Sequence, residues 1–209
     1  MIAIVTTRPA HLQALAAHQQ RCFPGVDPSD WIREEHFASH LHLFPAGQHV
    51  ALDGNTVVGQ SSTFRISGAS ALAPHTYRSI CADNTFANHD PQGAWLYGAD
   101  MSIHPAYRGQ GLASRLYTAR KELIRRLNLR GMVAGGMLPG YARYHDTLSI
   151  EEYARRVASG ELSDATLTPQ LRNGFVLRGM LPNYLHDAHY GADATLIVWE
   201  NPDWNVEAL

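Results

Sequence analysis

The chain has 209 residues, of which 45% are hydrophobic and 17% are charged, and its formal net charge is −2. This length is sufficient for one globular domain with a sizeable core, and the composition excludes a disordered chain. The near-neutral charge gives no general attraction to nucleic acid or to an acidic membrane surface, so neither is expected as a partner.

The first half of the chain alternates strand and helix patterns. β-branched residues predict a strand over residues 2–7, and the spacing after Pro9 predicts a helix that stops near Cys22. A second helix is predicted to start at residues 28–30 and to end before Pro45. Asp53-Gly54-Asn55 predicts a turn joining strands 48–52 and 56–64. Residues 67–93 lack a sustained period and predict a long loop, with a short strand or helix near 77–81.

The second half contains the clearest pattern, a strand over residues 94–103, a helix over 109–129 and a strand over 131–138. Apolar residues at helical spacing predict the helix: Leu112, Leu116, Ala119, Leu123, Ile124 and Leu127. Further helices are predicted at 151–158, capped by Ser149, and at 168–172. Residues 175–181 and 194–199 predict a final antiparallel pair. The order favours a mixed, mostly antiparallel α/β sheet flanked by helices, in a single domain of residues 1–209.

The cysteines and the N-terminal residues bear on the cellular compartment in which the protein is expected. Cys22 and Cys81 form no CxxC pair, which argues against a disulfide framework or a thiolate zinc site and favours the cytoplasm. The apolar run at the N-terminus is too short for a signal peptide, and no later run is long enough to cross a bilayer. Two histidine pairs, at positions 40/42 and 186/189, lack a second cluster that would close a site, so no metal is expected.

A glycine-rich turn, Tyr107 to Ser114, carries the chemistry. It lies between a strand ending at His104-Pro105 and an amphipathic helix. Unpaired N–H groups and the helix dipole make such a helix start a site for anions. Gly109 and Gly111 allow the backbone to approach a diphosphate closely. The sequence lacks the Gly-x-Gly-x-x-Gly of dinucleotide-binding turns and the Gly-Lys-Ser/Thr of Walker loops.

With Arg108, Gly111 and Ala113 at the signature positions, the segment resembles that of the GNAT (Gcn5-related N-acetyltransferase) superfamily. The resemblance implies a GNAT-type fold and acetyl-CoA, or another acyl-CoA, as co-substrate without a metal. It implies that backbone amides of the turn hold the pyrophosphate, and that the pantetheine runs along the strand before it, wedged against residues 133–136. The cofactor-binding residues implied are Met101, Ser102, Ile103, Arg108, Gly109, Gln110, Gly111, Leu112, Ala113 and Ser114.

The downstream segments 133–141, 149–160 and 171–175 resemble the GNAT domain that some bacterial proteins carry ahead of a carbon-nitrogen hydrolase. Because the sequence ends at Leu209, no hydrolase is expected to follow.

Direct transfer from a thioester to an amine requires a base for the ammonium proton and an acid for the departing thiolate. Many GNAT members use a Tyr four residues before a Gly-Phe pair as the acid, and here Gln170 precedes Gly174 at that spacing. Tyr141 and Tyr144 are candidates to replace it, with Tyr144 ranked first. His145 stays open as a candidate for the base.

Asp100 and Tyr97, on the strand before the turn, are the candidates for the base. Asp100 is the only carboxylate on that strand. Strand alternation puts the two side chains on opposite faces unless a bulge intervenes.

The sequence therefore predicts an N-acetyltransferase that moves an acyl group from acyl-CoA to a primary amine of a small molecule or a peptide. A CoA-binding regulatory or interaction module without transfer activity is the alternative, since the usual acid is missing. The sequence leaves a homodimer open.

Overall fold

The structure is a computed structural model that describes residues 1–205. Residues 206–209, the end of the predicted domain, lie outside the described residues. Seven strands form one sheet, and they are β1 (Ala3–Thr6), β2 (His49–Asp53), β3 (Thr56–Ile66), β4 (Trp95–Ile103), β5 (Gly131–Met137), β6 (Val176–Leu181) and β7 (Ala194–Glu200). Their order across the sheet is β1-β2-β3-β4-β5-β7-β6.

Seven α-helices connect and cover the strands. They are α1 (Leu12–Cys22), α2 (Glu34–Leu43), α3 (Gly68–Leu72), α4 (Tyr77–Ile80), α5 (Leu112–Arg126), α6 (Ile150–Ala158) and α7 (Leu167–Arg172). Ser149 caps α6 by accepting a hydrogen bond from the Glu152 N–H, as predicted.

Every neighbouring pair of strands is antiparallel except β4 and β5, which are parallel and are joined by the crossover helix α5. Asp53 pairs with Thr56 across the predicted hairpin, and Gly54 adopts a positive φ of 58° in its turn. The mixed sheet flanked by helices confirms the predicted fold class.

Helices cover both faces of the sheet. Helix α5 buries Leu123 and Ile124 in a cluster that includes Leu96 of β4. The next residue, Tyr97, belongs to a different cluster on the other face, as strand alternation requires. Near the β1 edge, α1 and α2 bury Leu15 and Phe37 in a further cluster with strands β2 and β3. Strand β4 therefore lies at the centre of the sheet, packed from both sides.

Two predicted elements differ from the structure. Helix α2 begins at Glu34, later than predicted, because residues 27–33 form turns in which Asp27 accepts the Ser29 N–H and the Trp31 indole donates to the Phe23 carbonyl. The loop 67–93 contains the two short helices α3 and α4, and it buries Phe86 in the core. The long loop is therefore a packed part of the fold.

None of the helices within residues 1–205 combines the length and the apolar character needed to span a membrane.

Candidate active site

Strands β4 and β5 diverge and leave a gap in the sheet. Their parallel pairing ends at Tyr97 and Val133, although β4 continues to Ile103 and β5 to Met137. A cleft of about 920 Å³ occupies this gap and reaches the glycine-rich turn. Backbone groups at the β4 edge that faces β5 are therefore available to a bound molecule.

The glycine-rich turn forms one end of the cleft. Gly109 and Gly111 have φ values of 76° and 75°, a left-handed conformation that glycine adopts without a steric cost. A Cβ at either position would meet open space. Gly111 is the N-cap of α5 and no side chain caps the helix, so its first N–H groups point toward the cleft end without a side-chain partner. This end of the cleft suits a phosphate group.

Nine of the ten cofactor residues implied by the resemblance line this cleft: Met101, Ser102, Ile103, Arg108, Gly109, Gly111, Leu112, Ala113 and Ser114. Gln110 is exposed beside them. The Arg108 side chain turns back and donates from Nε to the Ile103 carbonyl at 3.2 Å. The Ser102 hydroxyl lies 3.1 Å from Nε2 of the buried His18.

A β-bulge in β4 brings the two predicted bases to one face. Thr63 pairs with Gly98 and Ser62 pairs with Asp100, so Ala99 is the extra residue. Phe64 pairs with Tyr97, and directly paired residues of antiparallel strands share a face. Ser62 and Phe64 are two residues apart in β3, so they share a face as well. Tyr97 and Asp100 therefore point to the same face, which alternation without a bulge would forbid.

The Asp100 carboxylate sits in a small polar pocket. Its Oδ2 accepts hydrogen bonds from the side-chain amides of Gln19 in α1 and Gln60 in β3. Burial raises the pKa of Asp100 from 3.8 to about 6, while the two amides and nearby Arg120 oppose this shift. Asp100 lines the cleft and is partly exposed there. A carboxyl that titrates near pH 6 can both accept and donate a proton at neutral pH.

Arg120 of α5 holds the bulge from the opposite side of the sheet. It is only 2% exposed, and its guanidinium donates to the Ser61 hydroxyl at 2.6 Å, to the Ser62 carbonyl and to the Asp100 carbonyl. Burial lowers the pKa of Arg120 to about 10, so it remains a cation at neutral pH. The sequence contained a sign of this role, because Arg120 interrupts the apolar stripe of α5 four residues after Leu116.

Replacing Arg120 with Met should destabilise the fold by about 3 kcal/mol, because buried acceptors in β3 and β4 lose their donor. For a chain of this size we expect a fall in Tm of roughly 6–12 °C. Arg125→Met in the same helix is the matched control, since the Arg125–Asp203 ion pair is exposed and contributes less than about 1 kcal/mol. Equal Tm values for the two variants would contradict the role assigned to Arg120.

Gln170, which stands where the family's acid is expected, lines the cleft and is 6% exposed. Its Oε1 has no hydrogen-bond partner among the described residues and lies beside Gly136 of β5. Tyr144, the first-ranked replacement acid, packs its ring against Tyr153 at 5.2 Å and is absent from the described cleft lining. His145 is exposed and pairs with Asp146.

Two loops that line the cleft contact each other. The loop after α1 contains Gly25, whose carbonyl accepts the Ala188 N–H at 2.9 Å, and Val26 forms a bridge with Asp187. A Cβ on Gly25 would lie 2.4 Å from the His189 ring, so only glycine permits this approach. We call this contact between residues 23–31 and 184–191 the clasp. Residues of both segments line the cleft, so the clasp narrows it.

The chain was compared with known proteins. The model of the acetyltransferase (GNAT) family matches residues 12–141. The chain is 40% identical over 187 residues to the probable hydrolase YhcX of Bacillus subtilis (strain 168), covering 89% of this chain and 36% of that protein. It therefore spans about a third of the length of that relative. It is 29% identical over 191 residues to the uncharacterized N-acetyltransferase YkwB of the same organism, covering 91% of this chain and 84% of that protein.

Among solved structures, the GNAT-like decarboxylase GphF in complex with isobutyryl-CoA has a TM-score of 0.76 at 22% identity. The alignment covers 95% of this chain and 98% of GphF. At this identity the likeness supports the fold alone. The family match covers more than half of the sequence and agrees with the diverging strands and the glycine-rich turn. The chain belongs to the acetyltransferase (GNAT) family.

Proposed function

We propose that this protein transfers an acyl group from acetyl-CoA or another acyl-CoA directly to the primary amine of a small molecule. One observation carries the proposal: a single cleft joins an anion-binding turn to a carboxyl group that titrates near pH 6. Phosphate binding at one end and proton transfer further along are the two requirements of this reaction.

The acyl-CoA would lie with its pyrophosphate on the first N–H groups of α5 and its pantetheine between β4 and β5. The cations Arg21, Arg108 and Arg172 line the same cleft and suit an anionic cofactor. The solved complex of GphF with isobutyryl-CoA supports an acyl-CoA as the ligand of this fold. With the arm along Met101–Ile103, its thiol end comes close to the bulge and to Asp100.

Asp100 would act first as the base and then as the acid. In its ionised form it takes one proton from the substrate ammonium, and the free amine attacks the thioester carbon. When the carbon–sulfur bond breaks, the protonated Asp100 returns this proton to the thiolate. A carboxyl with a pKa of about 6 is a suitable acid for a thiolate whose own pKa is about 8.5. This assignment removes the need for a tyrosine at position 170 and for Tyr144.

The clasp favours a small acceptor over a peptide. Main-chain contacts between Gly25 and Ala188 and between Val26 and Asp187 join two loops that line the cleft, which leaves less room for an extended chain. Asp187 is 2% exposed and helps to hold the clasp. A compact amine enters such a cleft without opening the two loops.

The test is thiol release from acetyl-CoA with a panel of polyamines, amino acids, aminoglycosides and peptides. We expect release with at least one small amine and none above background with peptides. A rise in Tm with acetyl-CoA but no thiol release with any amine would favour a CoA-binding module without transfer activity. Preference for peptides would contradict the role of the clasp.

A further inference from the structure

Three side chains form a continuous hydrogen-bonded chain from the cleft to the surface. Tyr184, which lines the cleft, has its hydroxyl 3.1 Å from the Tyr97 hydroxyl. The Tyr97 hydroxyl is 2.7 Å from Nε2 of His75. His75 lies between α3 and α4 and is partly exposed. No step of the mechanism above uses this chain.

The direction of the chain follows from its surface end. His75 Nδ1 is 2.8 Å from the Ala73 carbonyl, which can only accept, so Nδ1 carries the proton. In the neutral imidazole Nε2 is then an acceptor, and Tyr97 must donate to it. Tyr97 has no second proton, so Tyr184 donates to Tyr97. All the bonds point outward, and the Tyr184 oxygen keeps lone pairs that can accept a proton from the cleft.

The surroundings favour the protonation states that this chain requires. Burial lowers the pKa of His75, which keeps the ring neutral at neutral pH. Burial raises the pKa values of Tyr97 and Tyr184, so both keep their protons. The Tyr184 ring lies against β5 at Gly135, where a Cβ would come within 2.3 Å of the ring. Glycine at this position lets the tyrosine reach the point where β4 and β5 separate.

The reaction requires such an exit. An ammonium and an acyl thioester give an amide, a free thiol and one additional proton. Asp100 takes the first ammonium proton and returns it to sulfur, so the second proton on nitrogen must leave a cleft that the clasp narrows. Loss of this proton completes the amide.

We propose that Tyr184, Tyr97 and His75 are a relay that carries this second proton from the substrate nitrogen to solvent. Tyr184 accepts the proton while its own proton moves to Tyr97 and that of Tyr97 moves to His75 Nε2. His75 then releases the Nε2 proton to water, which restores the neutral ring with its proton on Nδ1, and the hydroxyls rotate back. Tyr184 touches the reacting nitrogen, whereas Tyr97 and His75 act through it. The relay rests on the proposed acyl transfer.

Thiol release with the best small amine tests the relay. Tyr184→Phe, Tyr97→Phe and His75→Ala should each lower kcat by about 10²-fold, the lower end of acid–base contributions. The double variant Tyr97→Phe/Tyr184→Phe should be no slower than either single variant, because the loss of one hydroxyl already interrupts the whole relay. Free imidazole should recover most of the loss in His75→Ala and none of it in Tyr97→Phe. Additive losses or absent imidazole rescue would overturn the relay.

Tyr153→Phe is the matched control, since it also removes a buried hydroxyl, one that bonds Asp164 at 3.0 Å outside the cleft. It should lower Tm and leave kcat unchanged.

Thiol release by the wild type tests the proposed function, whereas the ratio of the variant kcat to the wild-type kcat tests the relay. Nitrogen NMR of the His75 ring gives a readout without any acceptor: Nδ1 should carry the proton, and Tyr97→Phe should shift the Nε2 signal. A protonated Nε2 in the neutral ring would overturn the relay even if no amine reacts.

Discussion

Gly111→Glu is expected to abolish the rise in Tm that acetyl-CoA causes in the wild type. With acetyl-CoA at 100 times its Kd the wild type should gain about 2.7 kcal/mol, or roughly 5–11 °C. In the variant a carboxylate stands at the N-terminus of α5, where the helix dipole stabilises it and where we propose that the pyrophosphate binds. Like charges then repel the cofactor, and a titration by thermal unfolding should give no shift.

Gly160→Glu is the matched control for this variant. Gly160 also has a left-handed φ, of 85°, and open space at its Cβ, but it follows α6 and lies outside the described cleft lining. Both variants carry the same backbone strain, about 1–3 kcal/mol, and the same added charge. The control should start from a lower Tm and respond fully to acetyl-CoA. If acetyl-CoA also stabilises Gly111→Glu, the pyrophosphate lies elsewhere.

Asp100→Asn is expected to lower kcat/KM for the amine by about 10²–10⁴-fold, the range for loss of a general acid–base group. The wild-type kcat/KM should rise with pH through about 6, because only ionised Asp100 accepts the ammonium proton. The variant should lose this dependence. Asp203→Asn removes an exposed carboxylate that pairs with Arg125, and it should behave as wild type.

Stability gives a second readout for Asp100 that needs no acceptor. Its folded-state pKa is raised above 3.8, so its stabilising contribution is present at low pH and is lost as the pH rises to about 6. The free energy of unfolding from urea titrations should fall over this interval in the wild type, and Asp100→Asn should remove that component of the slope. An unchanged slope together with unchanged activity would show that Asp100 is neither strained nor catalytic.

The predictable part of the site is local in sequence. The strand, turn and helix around Gly109 and Gly111 use short-range rules: β-branched alternation, glycine in left-handed backbone, and helical spacing of apolar residues. The residues of the glycine-rich turn that line the cleft were therefore predictable. The start of α2 was placed too early because Asp27 and Trp31 bond residues near the end of α1, which a helix pattern does not contain.

The surroundings of Asp100 and Tyr97 depend on contacts between distant segments. Asp100 meets Gln19, which is 81 residues away, and Tyr97 meets Tyr184, which is 87 residues away. The bulge at Ala99 decides which face of the sheet the Asp100 side chain occupies, and no residue pattern in β4 indicates this bulge. Tyr144 illustrates the same limit, since proximity in sequence to β5 suggested a role near the thiol while its ring packs on Tyr153.

The sequence by itself determined the family signature, the mixed sheet and the glycine-rich turn from Arg108 to Ser114, because each follows from neighbouring residues. Only the tertiary structure decided which other side chains line the cleft. Packing across the sheet produces three features: the separation of β4 and β5, the buried Arg120 beneath the bulge, and the hydrogen-bonded side chains from Tyr184 to His75. Their energies depend on burial and on partners far along the chain, and these exist only once the fold has formed.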